Sequence, residues 1–145
     1  MIGLLQRVTH ASVEVDGATV GEIGRGLLVL VAVHRDDEER DVARLAERIL
    51  SYRVFPDEEG RMNRSVAAEG AGLLLVPQFT LAADTKKGTR ASFTRAAAPE
   101  KGEAYFRRLV RLCRESLAVV ETGRFGANMQ VTLTNDGPVT FWLES

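Results

Sequence analysis

Cysteine is nearly absent. Cys113 is the only one in 145 residues, so no disulfide can form within the chain. Histidine is almost as scarce. His10 and His34 are far apart in sequence and in no ligand spacing, whereas a metal site needs a cluster of His, Cys, Asp or Glu. No metal and no other cofactor is therefore expected. Long apolar runs are missing too, which excludes a spanning helix of about 20 residues and leaves no membrane role expected. The opening MIGLLQRVTHASVEV turns polar by its sixth position and carries no small-residue cleavage site, so it does not read as a signal peptide and a cytoplasmic protein is expected. There is no Gly-x-Ser-x-Gly elbow and no phosphate-binding P-loop, which leaves serine-hydrolase and nucleotide-hydrolase readings without support. The chain also lacks charge of one sign: its net charge is -1. Proteins that hold nucleic acid by broad phosphate neutralisation are more basic than this. DNA is accordingly not expected as a partner, and an RNA partner would be gripped over a small region.

What is present is a globular composition, 45% hydrophobic and 27% charged, long enough to bury a core without staples. No repeat or linker divides it, and residues 1–145 read as one domain. Short β-prone runs fall at Leu5–Val8 and Ser12–Val15. Asp16-Gly17 between Val15 and Ala18 is a hairpin signal, since tight primed turns need residues that tolerate positive φ. After the turn at Gly24–Gly26, the apolar run Leu27–Val33 reads as a strand buried on both faces. Residues 36–53 read as a helix capped by Asp36 or Asp37, with Val42, Leu45, Ala46 and Ile49 forming one apolar face. A second buried strand covers 72–79, and a second helix covers 99–117 with Pro99 in its first turn. That helix carries the stripe Phe106, Leu109, Val110, Cys113 and Leu117. Residues 128–134 and 139–143 read as the last two strands. The pattern predicts an α+β fold: a curved, mostly antiparallel sheet or open barrel with two long helices packed outside.

Three groups of residues are candidates for function. Cys113 is not one of them, because a thiol on an apolar helical stripe reads as core. Gln78-Phe79-Thr80-Leu81 lies where a buried strand emerges into a loop, a position from which a rigid element aims functional groups. Thr80 offers a hydroxyl there, and Gln78 an amide and a main-chain N–H. Gly137-Pro138 lies between the last two strands. Taken alone, each motif reads more simply as structure. Lys86, Lys87, Arg90 and Arg95 cluster in the long polar segment 83–98, and loops of that length in compact domains are usually functional. Lys86, Lys87 and Arg90 are candidates for contact with RNA phosphates. Arg107, Arg108, Arg111 and Arg114 on the second helix read as a solvated face beside acidic neighbours.

Taken together, Gln78–Leu81 and Asn135–Thr140 resemble the signatures of the D-aminoacyl-tRNA deacylase family. The similarity extends to Gln6-Arg7-Val8, the Val15-Asp16-Gly17 hairpin, Gly26–Leu30, Thr122–Gly126 and Met129–Trp142, and so runs end to end. The resemblance implies a homodimer that hydrolyses the ester joining a D-amino acid to the 3′ ribose of tRNA, and that also clears glycine from tRNA-Ala. It implies that Gln78, Phe79 and Thr80 form the catalytic floor of a pocket at the dimer interface. Gly137 and Pro138, with a cis bond between them, would enter that pocket from the other subunit and reject L-amino acids. Arg7 would help to hold this dipeptide. Pro77, Asn135, Thr140 and Met129 complete the substrate-binding set that the resemblance implies. One departure stands out: Pro77 occupies the place of the family's serine and has neither a hydroxyl nor an N–H. A sister group that removes L-alanine, with a trans Gly-Pro, shares that proline but lacks the residues matched here by Phe79 and Arg7.

No His, Asp or Cys in the motifs partners Thr80, so an activated-hydroxyl triad has no support. The favoured reading is that main-chain donors hold the developing negative charge while the neighbouring ribose hydroxyl assists the already reactive ester. A Thr80 acyl-enzyme is the alternative. Two other classes stay open on the residues alone: a non-catalytic RNA-binding module, which would bind without turnover, and a small-molecule ester or amide hydrolase, which would not need tRNA.

Overall fold

A computed structural model describes all residues 1–145. Its framework is one long strand, β1 (Ile2–Val15), where the sequence pattern shows two short runs. One edge of β1 is shared. Its first half pairs antiparallel with β3 (Gly26–Ala32), and its second half with β2 (Ala18–Ile23). The other edge pairs along almost its whole length with β8 (Gln130–Glu144). Asp16 and Gly17, at φ 50° and 78°, make the expected two-residue hairpin between β1 and β2. β8 is also continuous, where two strands are expected. Its register slips opposite Arg7, between the pairs Gln6–Thr140 and Val8–Asn135, and the Asn135–Pro138 segment is accommodated there as an irregularity inside one strand.

The sheet is mixed, not uniformly antiparallel. β3 pairs parallel with β6 (Gly72–Pro77), and β6 pairs parallel with β7 (Val120–Thr122). Each parallel step needs a crossover, and the two long helices lie on these crossovers. β2 and β7 then meet so closely that a Cβ built on Gly21 would lie 2.5 Å from the Thr122 carbonyl oxygen. The sheet thus curls into a nearly closed barrel with helices outside, as the expected class requires. A small hairpin, β4 (Arg53–Pro56) and β5 (Met62–Ser65), and the one-turn helix that follows it, α2 (Val66–Glu69), complete this side.

α1 (Glu39–Ser51) buries Val42, Leu45, Ala46 and Ile49, the predicted face. Its cap differs from expectation. Glu38 is the N-cap, and its N–H donates to the Asp41 carboxylate at 2.7 Å. Asp37 is taken elsewhere, accepting from the Met1 ammonium at 2.7 Å and from the His34 N–H at 2.7 Å. α3 (Pro99–Arg114) buries Phe106, Leu109, Val110 and Cys113. It stops at Arg114, and Leu117 reaches the core from the following turn. A cluster of 22 buried residues from β1, β3, β6 and the two long helices forms the main core. Every residue of β3 except Leu30 is buried, as expected of a strand covered on both faces. No helix is long and apolar enough to cross a membrane.

Candidate active site

β6 ends at Pro77, and Phe79–Ala82 forms a 3-10 turn just beyond it. The Gln78 main-chain N–H is not a free donor, contrary to the sequence reading: it donates to the Val31 carbonyl at 2.7 Å and so continues the β3–β6 ladder by one step. The free donors are one position further on. Phe79 and Thr80 open the 3-10 turn, where N–H groups have no carbonyl of the turn to bond, and neither donates to any other main-chain acceptor. Two adjacent N–H groups thus stand at the exposed end of a buried strand, an arrangement suited to holding a negatively charged oxygen.

Around them the side chains are exposed and apolar or neutral. The Phe79 ring is 58% exposed and stacks on Phe93, with centroids 5.1 Å apart. The Gln78 side-chain amide donates to the Thr80 hydroxyl. No carboxylate or imidazole bonds that hydroxyl, so nothing in the structure draws off its proton. Pro77 is joined by two neighbours. A Cβ on Gly123 would lie 2.8 Å from the Met129 sulfur and 3.4 Å from Pro77 Cδ, so Gly123 lets these two residues close on each other. The Met129 sulfur also accepts from the Arg124 N–H at 3.3 Å. Neither Phe93 nor Gly123 stands out in the sequence. Phe93 is a lone aromatic in a polar segment, and Gly123 reads as a plain turn residue.

The second motif is a braced protrusion. The Gly137–Pro138 bond is cis, and both residues are exposed. Arg7, only 12% exposed, anchors them from below. Its Nε donates to the Asp136 carbonyl at 3.1 Å and lies 3.3 Å from the Asp136 carboxylate. Its other end donates to the Val54 carbonyl at 2.6 Å. Asn135 braces the opposite side: its oxygen accepts from the Val139 N–H at 2.9 Å, and its nitrogen donates to the Thr140 hydroxyl at 2.8 Å. Asn135 and Thr140 therefore spend their polar groups on each other and on the backbone around Gly137.

The two motifs do not meet within one protomer. The register runs from Arg7, which faces the Gly137 irregularity, across Leu27 to Leu73 on β6. Gln78, one residue past the end of β6, lies five positions further along the chain, about 16 Å at 3.3 Å per residue, with three strand spacings between the motifs as well. Lys86, Lys87 and Arg90 are exposed at the tip of the 83–98 loop, which is closed by paired Asp84–Ser92 main-chain bonds. They form none of the ion pairs of the chain. No group of three or more His, Cys, Asp or Glu side chains gathers anywhere.

Known proteins share both the fold and the sequence. A solved structure of c-Myc DNA Unwinding Element Binding Protein superimposes with a TM-score of 0.95 at 38% identity, covering 100% of this chain and 99% of the other. A probable eukaryotic D-amino acid tRNA deacylase matches in fold, with a TM-score of 0.88 at 19% identity over 99% of this chain and 98% of the other. The D-aminoacyl-tRNA deacylase of Alkalilimnicola ehrlichii is 70% identical over 145 residues, covering all of this chain and 97% of that protein. Its counterpart in Cronobacter sakazakii is 57% identical over 144 residues, covering 99% of each. The chain is accordingly an enzyme, a hydrolase built on a curled α+β sheet. It belongs to the D-Tyr-tRNA(Tyr) deacylase family, whose model matches residues 4–144.

Proposed function

We propose that the chain hydrolyses the ester of D-aminoacyl-tRNA, releasing a free D-amino acid and tRNA, and works as a homodimer with shared sites. The carrying observation is the separation of the two motifs. Each is exposed and built for contact, yet they lie at different ends of the same protomer. A two-fold dimer presents the same patch from both copies, and would bring Gln78–Thr80 against Gly137 and Pro138 of the partner subunit. β8 supports this reading. Only Leu143 of its 15 residues is buried, and Val131 and Trp142 stand exposed on a strand with one unpaired edge, a liability that a partner surface removes.

In the reaction, water adds to the ester carbonyl, the bond to the 3′ oxygen breaks, and that oxygen takes up a proton as the ribose hydroxyl. The Phe79 and Thr80 N–H groups hold the carbonyl oxygen while it is negative, and the neighbouring ribose hydroxyl assists. Gly137-Pro138 excludes an L side chain, so selection works by rejection, and glycine on tRNA-Ala also passes. The cytoplasm, where charged tRNA is found, is the site of action. The test is incubation with D-tyrosyl-tRNA and L-tyrosyl-tRNA, following release of tyrosine. Release from the D form alone is expected; equal release from both would overturn the filter.

A further inference from the structure

We propose that a cleft between α3 and β7 is the docking groove for the sugar-phosphate backbone of the substrate's RNA, an assignment that rests on the tRNA reading above. The cleft has a volume of about 510 Å³. It is lined by Arg107, Arg111, Arg114 and Arg124, with Glu103 the only acidic residue. That is a local surplus of three positive charges on a chain whose net charge is -1.

The arginines differ in how far they are occupied. Arg107 is paired with Glu103 at 2.6 Å, and Arg114 donates to the Val120 carbonyl at 3.3 Å. The Arg111 and Arg124 guanidinium groups bond to nothing in the chain, although each retains its full set of donors. Arg107, Arg111 and Arg114 recur at i, i+4 and i+7 on one face of α3, spanning about 10 Å at 1.5 Å per residue. That is the axial length of about three nucleotides of one helical strand, at 3.4 Å each. Arg124 faces them from the turn after β7. A free mononucleotide would need a base pocket, but the only exposed aromatic edge here belongs to the half-buried Phe125. A line of cations along an open groove suits a backbone instead.

The groove also leads to the right place. Gly123 lines its floor, and the other side of Gly123 touches Pro77 and Met129, beside the Phe79 and Thr80 donors. A strand lying in the groove would bring its end to the site where the ester must be held. From the sequence these helical arginines are expected on a solvated face, and the Lys86, Lys87 and Arg90 loop is expected at the RNA. That reading fits Arg108, which pairs with Glu39 at 2.6 Å, but not Arg111.

The test is binding of uncharged tRNA by fluorescence anisotropy between 50 and 300 mM salt, which does not depend on turnover. For Arg111→Gln/Arg124→Gln, with thermal melting as the check on folding, the expected result is binding weakened about tenfold or more at 150 mM salt. The slope of log affinity against log salt should be shallower by about two. Arg111→Lys/Arg124→Lys should restore the slope, because phosphate neutralisation counts charge. With charged substrate the loss should fall on KM, not kcat. Unchanged affinity and slope in the Gln variant, with the loss appearing instead in Lys86→Gln/Lys87→Gln/Arg90→Gln, would overturn the assignment. If the wild type binds tRNA through the groove but releases no D-amino acid, the hydrolytic reading fails and the groove stands.

Discussion

At the residue scale, the proposed chemistry depends on main-chain groups, so side-chain changes should split sharply. Thr80→Ala keeps both N–H donors. Loss of one oxyanion donor costs about 100-fold to 1,000-fold in rate, so this variant is expected to retain well over a hundredth of wild-type kcat, with no acyl-enzyme trapped on the wild type. A trapped adduct on Thr80 would reverse the mechanism. Gly137→Ala should behave differently. Gly137 has φ +135°, which disfavours any side chain, and a Cβ there would lie 2.6 Å from Val139 Cγ2 and 3.3 Å from the Arg7 guanidinium. Strain of this kind costs about 1–3 kcal/mol. Activity toward D-aminoacyl and glycyl esters should fall together, about tenfold or more, without a rise toward L substrates; parallel kcat/KM measurements check this. Cys113 is a control. Burial pushes its thiol up to about 12, whereas an unfolded thiol titrates near 8.5. Between those values the unfolded chain binds fewer protons than the native one. The contribution is therefore complete below about 8.5 and is lost as pH rises toward 12. Urea midpoints should fall between pH 8 and pH 10.5 more steeply in the wild type than in Cys113→Val, and the native thiol should resist Ellman's reagent at pH 8.

At the element scale, β3 and β6 make the parallel pair that aims the turn proposed to hold the oxyanion, and they touch first at two glycines. Gly26 and Gly72 are register partners, and a Cβ on Gly26 would fall inside the Gly72 peptide. Gly26→Ala must push the strands apart. Overpacking of this kind costs about 1–3 kcal/mol, so a lower melting temperature is expected together with lower activity, since the turn that bears Phe79 and Thr80 follows β6 directly. Gly24→Ala, with open space around it, should do neither. The main elements were legible in the sequence because their signals are local: the Asp16-Gly17 hairpin, the α1 stripe from Val42 to Ile49, the apolar run of β3. What escaped was non-local. Nothing near Asp37 announces that it will bind the Met1 ammonium, which leaves Glu38 as the cap. Nor does Asn135–Pro138 announce that a strand runs through it, because β1 supplies the partner that keeps β8 in line. The Arg111 spacing was visible, but its meaning required Arg124, which is contributed by the turn after β7.

At the scale of the whole molecule, the site is a property of two chains if the proposal holds, and this has a consequence no single-chain enzyme shares. Phe79→Ala should damage the floor of a protomer's own pocket while leaving its Gly137-Pro138 intact. Gly137→Ala should do the reverse. In a two-fold dimer each site takes one part from each copy. A mixed dimer therefore has one site carrying both lesions and one carrying neither. When the two variants are unfolded together, refolded at equal amounts and assayed on D-tyrosyl-tRNA, about half the dimers should be mixed, each with one of its two sites intact. Activity should recover to about a quarter of wild type, well above either variant alone. With the two substitutions on one chain, mixed with wild type, each mixed dimer has one lesion in each site, so activity should fall to about a quarter, against about a half if each protomer completes its own pocket. Because Phe79 is exposed and packs on Phe93 rather than on the core, its loss should leave folding intact, so a failure to recover activity would have to come from the arrangement of the site. No recovery, with dimers present by ultracentrifugation, would mean that each protomer completes its own pocket despite the roughly 16 Å that the strand register places between its motifs.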